Sequence, residues 1–423
     1  MVIIGKFNQD ATYALAAAVI SLSLAGCSGS SVPPSSGLPT PPAPSNTSAY
    51  IGSEDPGYWT FITDDTQKAY VYQQAGAAST SGNFAVTSGL LDLGNANGVS
   101  LGKATEQAGA TAFLRPGDNT AFPIPMTPQS DCFAINGKLR YIYTALPGQA
   151  VQTDGNALNT GYGTFVVSTS GDGTSWSFED LHNYVLTELT GGSFTAGTEN
   201  GQDPESFAAA CKSTNGLGTI SADASAPFPA STSGKPAAPT FHFHSAGSFV
   251  EDRSTAFTWM GFAMPAAPIS ASDVISKNYS GFAYENNGIS PVHTRPVIFA
   301  QLTGTSVLTG GDFANDDLTQ TPGSEYTLAL GQQDSALNGV FPNASFTAYD
   351  TYGTCGVVAQ NTPAVQPGFD ANGNAICTAA GVAVVAQVDG KYVLYFTTED
   401  GTSNPNPLTA NHAYLIQFYL YQQ

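Results

Sequence analysis

The sequence predicts an all-β protein, an antiparallel sandwich or barrel-like body with long loops, and three observations carry that expectation. Turn formers and aromatics abound, with 45 Gly, 27 Pro, 24 Phe, 19 Tyr and 3 Trp in 423 residues, a composition suited to short strands and tight turns. Only 10% of residues are charged, so the long charged side chains that favour helices are scarce. Finally, runs of alternating apolar residues stop repeatedly at Gly, Pro, Asn or Asp, as strands do at their turns. A β-propeller is the alternative architecture.

The first 26 residues stand outside the fold. Lys6 precedes the apolar run Ala14 to Ser23, which is too short to cross about 30 Å of hydrocarbon and reads as a secretory signal. Residues 27–48 form a disordered tether: from Ser28 to Ser48 the chain carries no charge and includes Pro33-Pro34 and Pro41-Pro42-Ala43-Pro44. Such a segment cannot bury enough apolar surface to offset its conformational entropy, so an extended spacer is expected.

Strands follow in order. Tyr58 to Thr63 and Lys68 to Tyr72 make a first hairpin around Asp64-Asp65, and Gly137 to Thr144 and Gly163 to Ser168 are further strands. Glu179 to Leu186 reads as either helix or strand. Residues 221–239, rich in Ala, Ser and Pro, mark a long loop or a boundary. They divide the body into β-rich domains at 49–238 and 239–423, with a single domain as the alternative. Thr240 to His244 and Ala256 to Ala263 read as strands, and Asp273 to Ser276 as a short helix or turn. Gly390 to Thr397 and the strongly apolar Ala413 to Tyr421 close the chain; the latter is expected to be paired and buried, since exposed it would aggregate. Leu189-Thr190-Gly191-Gly192-Ser193-Phe194 recurs as Leu308-Thr309-Gly310-Gly311-Asp312-Phe313, which shared turn chemistry explains without a repeat.

The formal net charge is −20, and removal of the signal takes one basic and one acidic residue, leaving it unchanged. Such a surface repels phosphate backbones and offers no counterion release, which excludes nucleic acid as a partner. Solubility accounts for the acidity. Beyond Cys27 there are four cysteines, Cys132, Cys211, Cys355 and Cys377. None has a Cys-x-x-Cys or zinc spacing, so two disulfides are expected; three connectivities are open, and pairing of neighbours, Cys132 with Cys211 and Cys355 with Cys377, is favoured.

Candidate chemistry is sparse. Gly98-Val99-Ser100-Leu101-Gly102 fits the Gly-x-Ser-x-Gly pattern, with His242, His293 and His412 downstream. That pattern needs a strand before it and a helix after it, whereas Leu93 to Asn97 reads as a turn, so a hydrolase is not favoured and no catalytic residue is assigned. His242 and His244 alternate with Phe241 and Phe243, which places both imidazoles on one face of a strand, with Glu251 or Asp252 returning across a hairpin. Two imidazoles leave a zinc site short of ligands, and a polar outer face explains them as well. Asp312, Asn315, Asp316 and Asp317 gather the hard oxygen ligands that Ca²⁺ takes. They lack EF-hand spacing, and an Asx-rich turn is the simpler account. No cofactor is otherwise expected.

Two local resemblances complete the reading. Leu24-Ala25-Gly26-Cys27 resembles the lipobox of bacterial lipoproteins, which implies that Cys27 is lipidated through its thiol as the first residue of the mature chain, and Ser28, not being Asp, implies outer rather than inner membrane. Ser170-Gly171-Asp172-Gly173-Thr174-Ser175-Trp176 resembles the Asp-box hairpin of many β-propellers, in which Asp caps the turn and Trp tucks beneath it. The expected function is that of a lipid-anchored cell-envelope protein with a non-enzymatic binding or structural role. A carbohydrate-active or glycan-binding protein is the alternative. The expected partners are the membrane, through the lipid, and a protein or glycan ligand.

Overall fold

In the computed structural model the described residues are 47–54, 57–87, 89–94, 97, 99–107, 111–117, 123–145, 161–189, 193–199, 206–223, 240–245, 247–252, 257–263, 269–274, 277–286, 293–303, 307–310, 326–349, 365–369, 375–388, 390–398 and 415–423. All belong to one compact unit, 46–423. Leu24-Ala25-Gly26-Cys27 and most of the tether lie outside them. The chain is an antiparallel all-β protein made of three curled modules in sequence order.

The first module is a closed barrel of β1 (Thr47–Glu54), β2 (Gly57–Asp64), β3 (Ala69–Gln74), β4 (Thr80–Thr87), β5 (Leu90–Gly94), β6 (Ser100–Gln107), β7 (Thr111–Pro116) and β8 (Ile124–Pro128), with β8 pairing back onto β1. The expected first hairpin is β2–β3. Its turn is capped by the Asp64 carboxylate, which accepts from the amides of Thr66 at 2.9 Å and Gln67 at 3.0 Å. Alternation along the strands fills the interior with Tyr50, Phe61, Tyr70, Tyr72, Phe84, Leu91, Leu93, Leu114, Ile124 and Met126, so the barrel is a packed core. Glu106 sits on this inner face, opposite Ala112, and its carboxylate accepts a 2.8 Å hydrogen bond from the Thr63 hydroxyl. Burial pushes its carboxyl pKa up, with the Thr63 bond opposing.

The second module contains β9 (Gly137–Ala145), β10 (Gly161–Thr169), β11 (Ser175–Leu189), β12 (Ser193–Glu199), β13 (Phe207–Thr214), β14 (Leu217–Ala222), β15 (Thr240–Phe243), β16 (Phe249–Asp252) and β17 (Phe257–Ala263). The sheet order β10-β9-β17-β16-β15-β14-β13-β11-β12 carries an added β10–β11 pairing. The circuit of hydrogen bonds therefore returns through eight strands, with β12 appended. Residues 179–186 are strand, because β11 pairs with β10 at Glu179 and from His182 to Val185, and with β12 from Tyr184 onward. The inner face is aromatic, with Tyr141, Phe165, Trp176, Phe178, Phe207, Phe241, Phe243 and Phe249 in mutual contact. β14 pairs with β15 through Ile220↔Phe241, so position 238/239 falls between two neighbouring strands of one sheet.

After α1 (Ala271–Val274), where a short helix or turn is expected, the third module comprises β18 (Asn278–Asn286), β19 (His293–Thr303), β20 (Val307–Gly310), β21 (Tyr326–Ala329), β22 (Val340–Tyr349), β23 (Val365–Phe369), β24 (Ala375–Val388), β25 (Lys391–Thr398) and β26 (Leu415–Gln422). Its order is β22-β21-β20-β19-β18-β26-β25-β24-β23, closed by a β22–β24 pairing. The apolar C-terminus is β26, hydrogen-bonded to β18 and β25.

Over residues 381–386, 393–397 and 417–421, β24, β25 and β26 are buried on both faces. One face carries Val385, Leu394, Phe396, Phe418 and Leu420; the other carries Val384, Val393, Tyr395, Tyr419 and Tyr421, which pack with Leu90 and Phe113 of the barrel and Ile142, Tyr162 and Val250 of the second module. Phe113 points outward from the barrel into a cup of Tyr395, Tyr419 and Tyr421, with ring centroids 5.5, 4.9 and 5.0 Å away. Beneath the cup, Tyr419 donates to Gln417 at 2.8 Å and Gln417 donates to Thr397 at 3.4 Å. Arg140 on β9 reaches across to donate from Nε at 3.0 Å, and also from Nη2, to the Val385 carbonyl. Burial lowers its pKa to about 9.

Phe113→Ala is expected to lower the unfolding free energy by about 3–5 kcal/mol, the cost of emptying a fully buried aromatic site; denaturant titration checks it, and a loss within error would mean the cup collapses without cost. For Glu106 the folded state prefers the neutral acid, so the carboxylate is a cost above the folded pKa that vanishes once pH falls below the unfolded value of about 4.3. Glu106→Gln should therefore raise Tm at pH 8 and leave it unchanged near pH 4, as read by calorimetry.

Candidate functional site

Polar chemistry among the described residues concentrates at the end of the second module that meets the barrel. A strap, residues 129–136, leaves β8 and crosses this end before β9 begins. Gln129 donates its amide to Ala49 of the barrel at 2.8 Å, and Ser130 offers its carbonyl to the Gly218 amide at 2.7 Å. At the far end the Ile135 amide donates to the Thr169 hydroxyl, and the Thr169 amide to the Asn136 side chain, each at 3.0 Å. Between these anchors Cys132 is bonded to Cys211 of β13, with Cα atoms 5.9 Å apart. The expected neighbour pairing of these two is thus present. Closing a loop over a sequence separation of 79 removes about 4–5 kcal/mol of unfolded-state entropy in the chain-entropy model.

The strap lies on the turn whose sequence resembles an Asp-box, and that turn has the expected geometry. The Asp172 carboxylate accepts from the hydroxyl of Ser170 at 2.5 Å and from the amide and hydroxyl of Thr174 at 3.1 and 2.9 Å. These bonds, Ser170's foremost, hold the exposed carboxyl down to about 2. Trp176 is buried and donates from its indole to the Gly173 carbonyl at 2.8 Å. Gly173 has φ +71° and its missing Cβ is where the Phe133 backbone passes, so only glycine fits. The turn is structural.

On the barrel side, Tyr58 hydrogen-bonds Thr240 at 2.7 Å and Thr127 bonds Ser248 at 2.8 Å, hydroxyl to hydroxyl in both cases. His242 lies in this seam. It is 2% exposed, its ring meets the Tyr58 ring edge-on at 4.7 Å, and its Nδ1 bonds the Gly218 carbonyl at 3.1 Å. Burial lowers its pKa to about 4, with the Gly218 bond opposing, so the ring is neutral and Nδ1 carries the proton. Nε2 has no hydrogen-bond partner among the described residues. Gly218 thus holds the strap with its amide and His242 with its carbonyl.

The pairing expected to gather a metal set places its members differently. His242 stands opposite Val250, while Glu251 stands opposite Phe241 and so on the other face of the β15–β16 hairpin; Asp252, the alternative, stands opposite Thr240, a register position on the His242 face, since a one-residue offset reverses the side. His244 falls beyond β15, where it opens the turn that returns to Ser248. Among the described residues no group of three His, Cys, Asp or Glu is placed to hold a metal. Asp312, Asn315, Asp316, Asp317 and Cys355 lie outside the described residues, as does Cys27, and Cys377 is described only as a β24 residue opposite Ala348 and Pro367. Ser100 begins β6, and its hydroxyl donates to Asp92 at 2.8 Å, in a strand setting and not a strand-to-helix elbow.

Sequence reasoning missed Tyr58, Thr127, Gly218 and Ser248 as seam residues, since each gains its meaning from a partner far along the chain. It also passed over Asp180, whose carboxylate lies 2.9 Å from His182 Nε2 and 3.9 Å from Lys138 Nζ at a bulge where its own φ is +53°. Both that cluster and the seam can position groups; neither joins a nucleophile to a base in the geometry that covalent catalysis uses. Comparisons with protein-family models, curated proteins and solved structures found no match.

His242 yields a pH dependence with a definite sign. Its folded pKa of about 4 lies below the unfolded value near 6.5, so on lowering pH the unfolded chain takes the proton first. Stability should be flat above about pH 6.5, fall by up to about 1.4 kcal/mol per pH unit towards pH 4, and level off below. His242→Gln should abolish that component of the slope in denaturant titrations at pH 7, 5.5 and 4.5.

Proposed function

We propose that this chain is a lipid-anchored protein of the bacterial cell envelope, held at the outer membrane through Cys27, whose β body acts by binding or by building structure and not by catalysis. The observation that carries this reading is the order Leu24-Ala25-Gly26-Cys27, uncharged spacer, first strand. β1 opens at Thr47, immediately after the Ser, Pro and Gly-rich stretch. Two or three acyl chains hold a protein stably where one does not.

The packing of the body supports the non-catalytic part. Ring interiors are filled by their own aromatic and aliphatic side chains, which leaves recognition of a protein or glycan ligand to outer faces and loops. The disulfide agrees with export to an oxidising compartment.

Expression of the full-length chain in a Gram-negative host with labelled palmitate is the test. The label and outer-membrane fractionation should both be lost on Cys27→Ala, with the protein appearing in the soluble periplasmic fraction. Retention of membrane association by Cys27→Ala, or failure of the native chain to take label, would overturn the reading.

A further inference from the structure

We propose that the strap 129–136 is a plug over the mouth of the second module's aromatic interior, and that the Cys132–Cys211 bond is its redox-sensitive latch. The strap has no regular secondary structure and runs across two hairpin turns at one end of the module. At the β10–β11 turn the Phe133 backbone passes where a Gly173 side chain would be, and at the start of β14 a Cβ on Gly218 would meet the Asp131 carbonyl carbon and the Cys132 amide at 2.9 Å. Close approach is therefore built in at both glycines. The strap in turn sends side chains inward. Phe133 stands edge-on to Trp176 at 6.0 Å, and Phe133 and Ile135 both pack on the aromatic core.

Hydrogen-bonded anchors lie at the two ends, at Ser130 and at Ile135 to Asn136, and the Asp131 carboxylate accepts from Ser213 of β13 beside the first of them. The stretch between Asp131 and Ile135 is held by the Phe133 ring and the disulfide. Both cysteines are half-buried, Cys211 with one side against the aromatic core, so the bond lies nearer the surface than the fully buried rings behind it. A dithiol reductant supplies the chemistry. One thiolate attacks a sulfur of the pair and forms a mixed disulfide. Its second thiolate then resolves that bond, leaving two cysteine thiols and one oxidised cyclic dithiol, a balanced two-electron exchange. With the latch open, the strap middle lifts about its two anchored ends and exposes apolar aromatic surface.

Oxidised full-length protein, the same protein with dithiothreitol, and the Cys132→Ser/Cys211→Ser variant are compared; the variant isolates this bond from the other cysteines. The reduced protein and the variant should keep the far-UV β spectrum and gain several-fold in fluorescence of an anilinonaphthalene dye. They should also show a first chymotryptic cut after Phe133, located by mass spectrometry. Phe133→Ala with the disulfide intact should raise dye fluorescence without reductant. Unchanged fluorescence and cleavage on opening the bond would show a passive staple. Loss of the β spectrum with cleavage throughout would show a bond the module needs in order to fold. No dye response in Phe133→Ala would show that the interior does not lie behind that ring. Each of these three results overturns the proposal.

Discussion

The arrangement of the whole body follows from β24, β25 and β26 being apolar on both sides. A half-buried strand needs cover on one face only, and a row such as Val384, Tyr395 and Tyr419 on the outward face leaves the third module with surface it cannot bury alone. The barrel supplies Phe113 and Leu90, and the second module supplies Ile142, Tyr162 and Val250. Arg140 adds direction to that contact, because a guanidinium taken out of water must find an acceptor, and the Val385 carbonyl provides one across the seam. The three modules are thereby joined by a shared core, with polar bonds such as Thr127 to Ser248 fixing their registration.

Much of this was legible in the sequence, and the rest was not for definable reasons. Strand positions were readable because alternation and turn chemistry are local: the β2–β3 hairpin, β9, β10, β25 and β26 lie where the pattern puts them. The Asp172 turn was equally readable, since all its bonds run within seven residues. Residues 179–186 were ambiguous because the pattern of β11 fits either period, and pairing with β10, a strand earlier in the chain, decided the matter. The face of Glu251 was misjudged for a related reason, as sequence spacing does not reveal hairpin register. Closure of the sheets into curled modules, and the burial of His242 against Tyr58, rest on partners tens to hundreds of residues away and leave no local mark.

The cations add a point about charge. Lys103, Arg115 and Arg140 are buried, and the chain has only 12 basic residues in all. Withdrawing three cations, against the one fully buried acid Glu251 among the described residues, leaves their solvent-facing surface more acidic than the formal count suggests. Such a surface repels anionic partners.

The order of the modules along the chain also sets an order in time. Each module draws its strands from one contiguous stretch, so a chain emerging from its amino end can complete the barrel and then the second module by pairings local to each. The tyrosines that receive Phe113 emerge near the end, two of them on the last strand. Without β26 the ring of Phe113 would lack Tyr419 and Tyr421, two of the three rings that enclose it. The pairing of β26 with β18 and β25 is thus what sets the third module's tyrosines against the barrel.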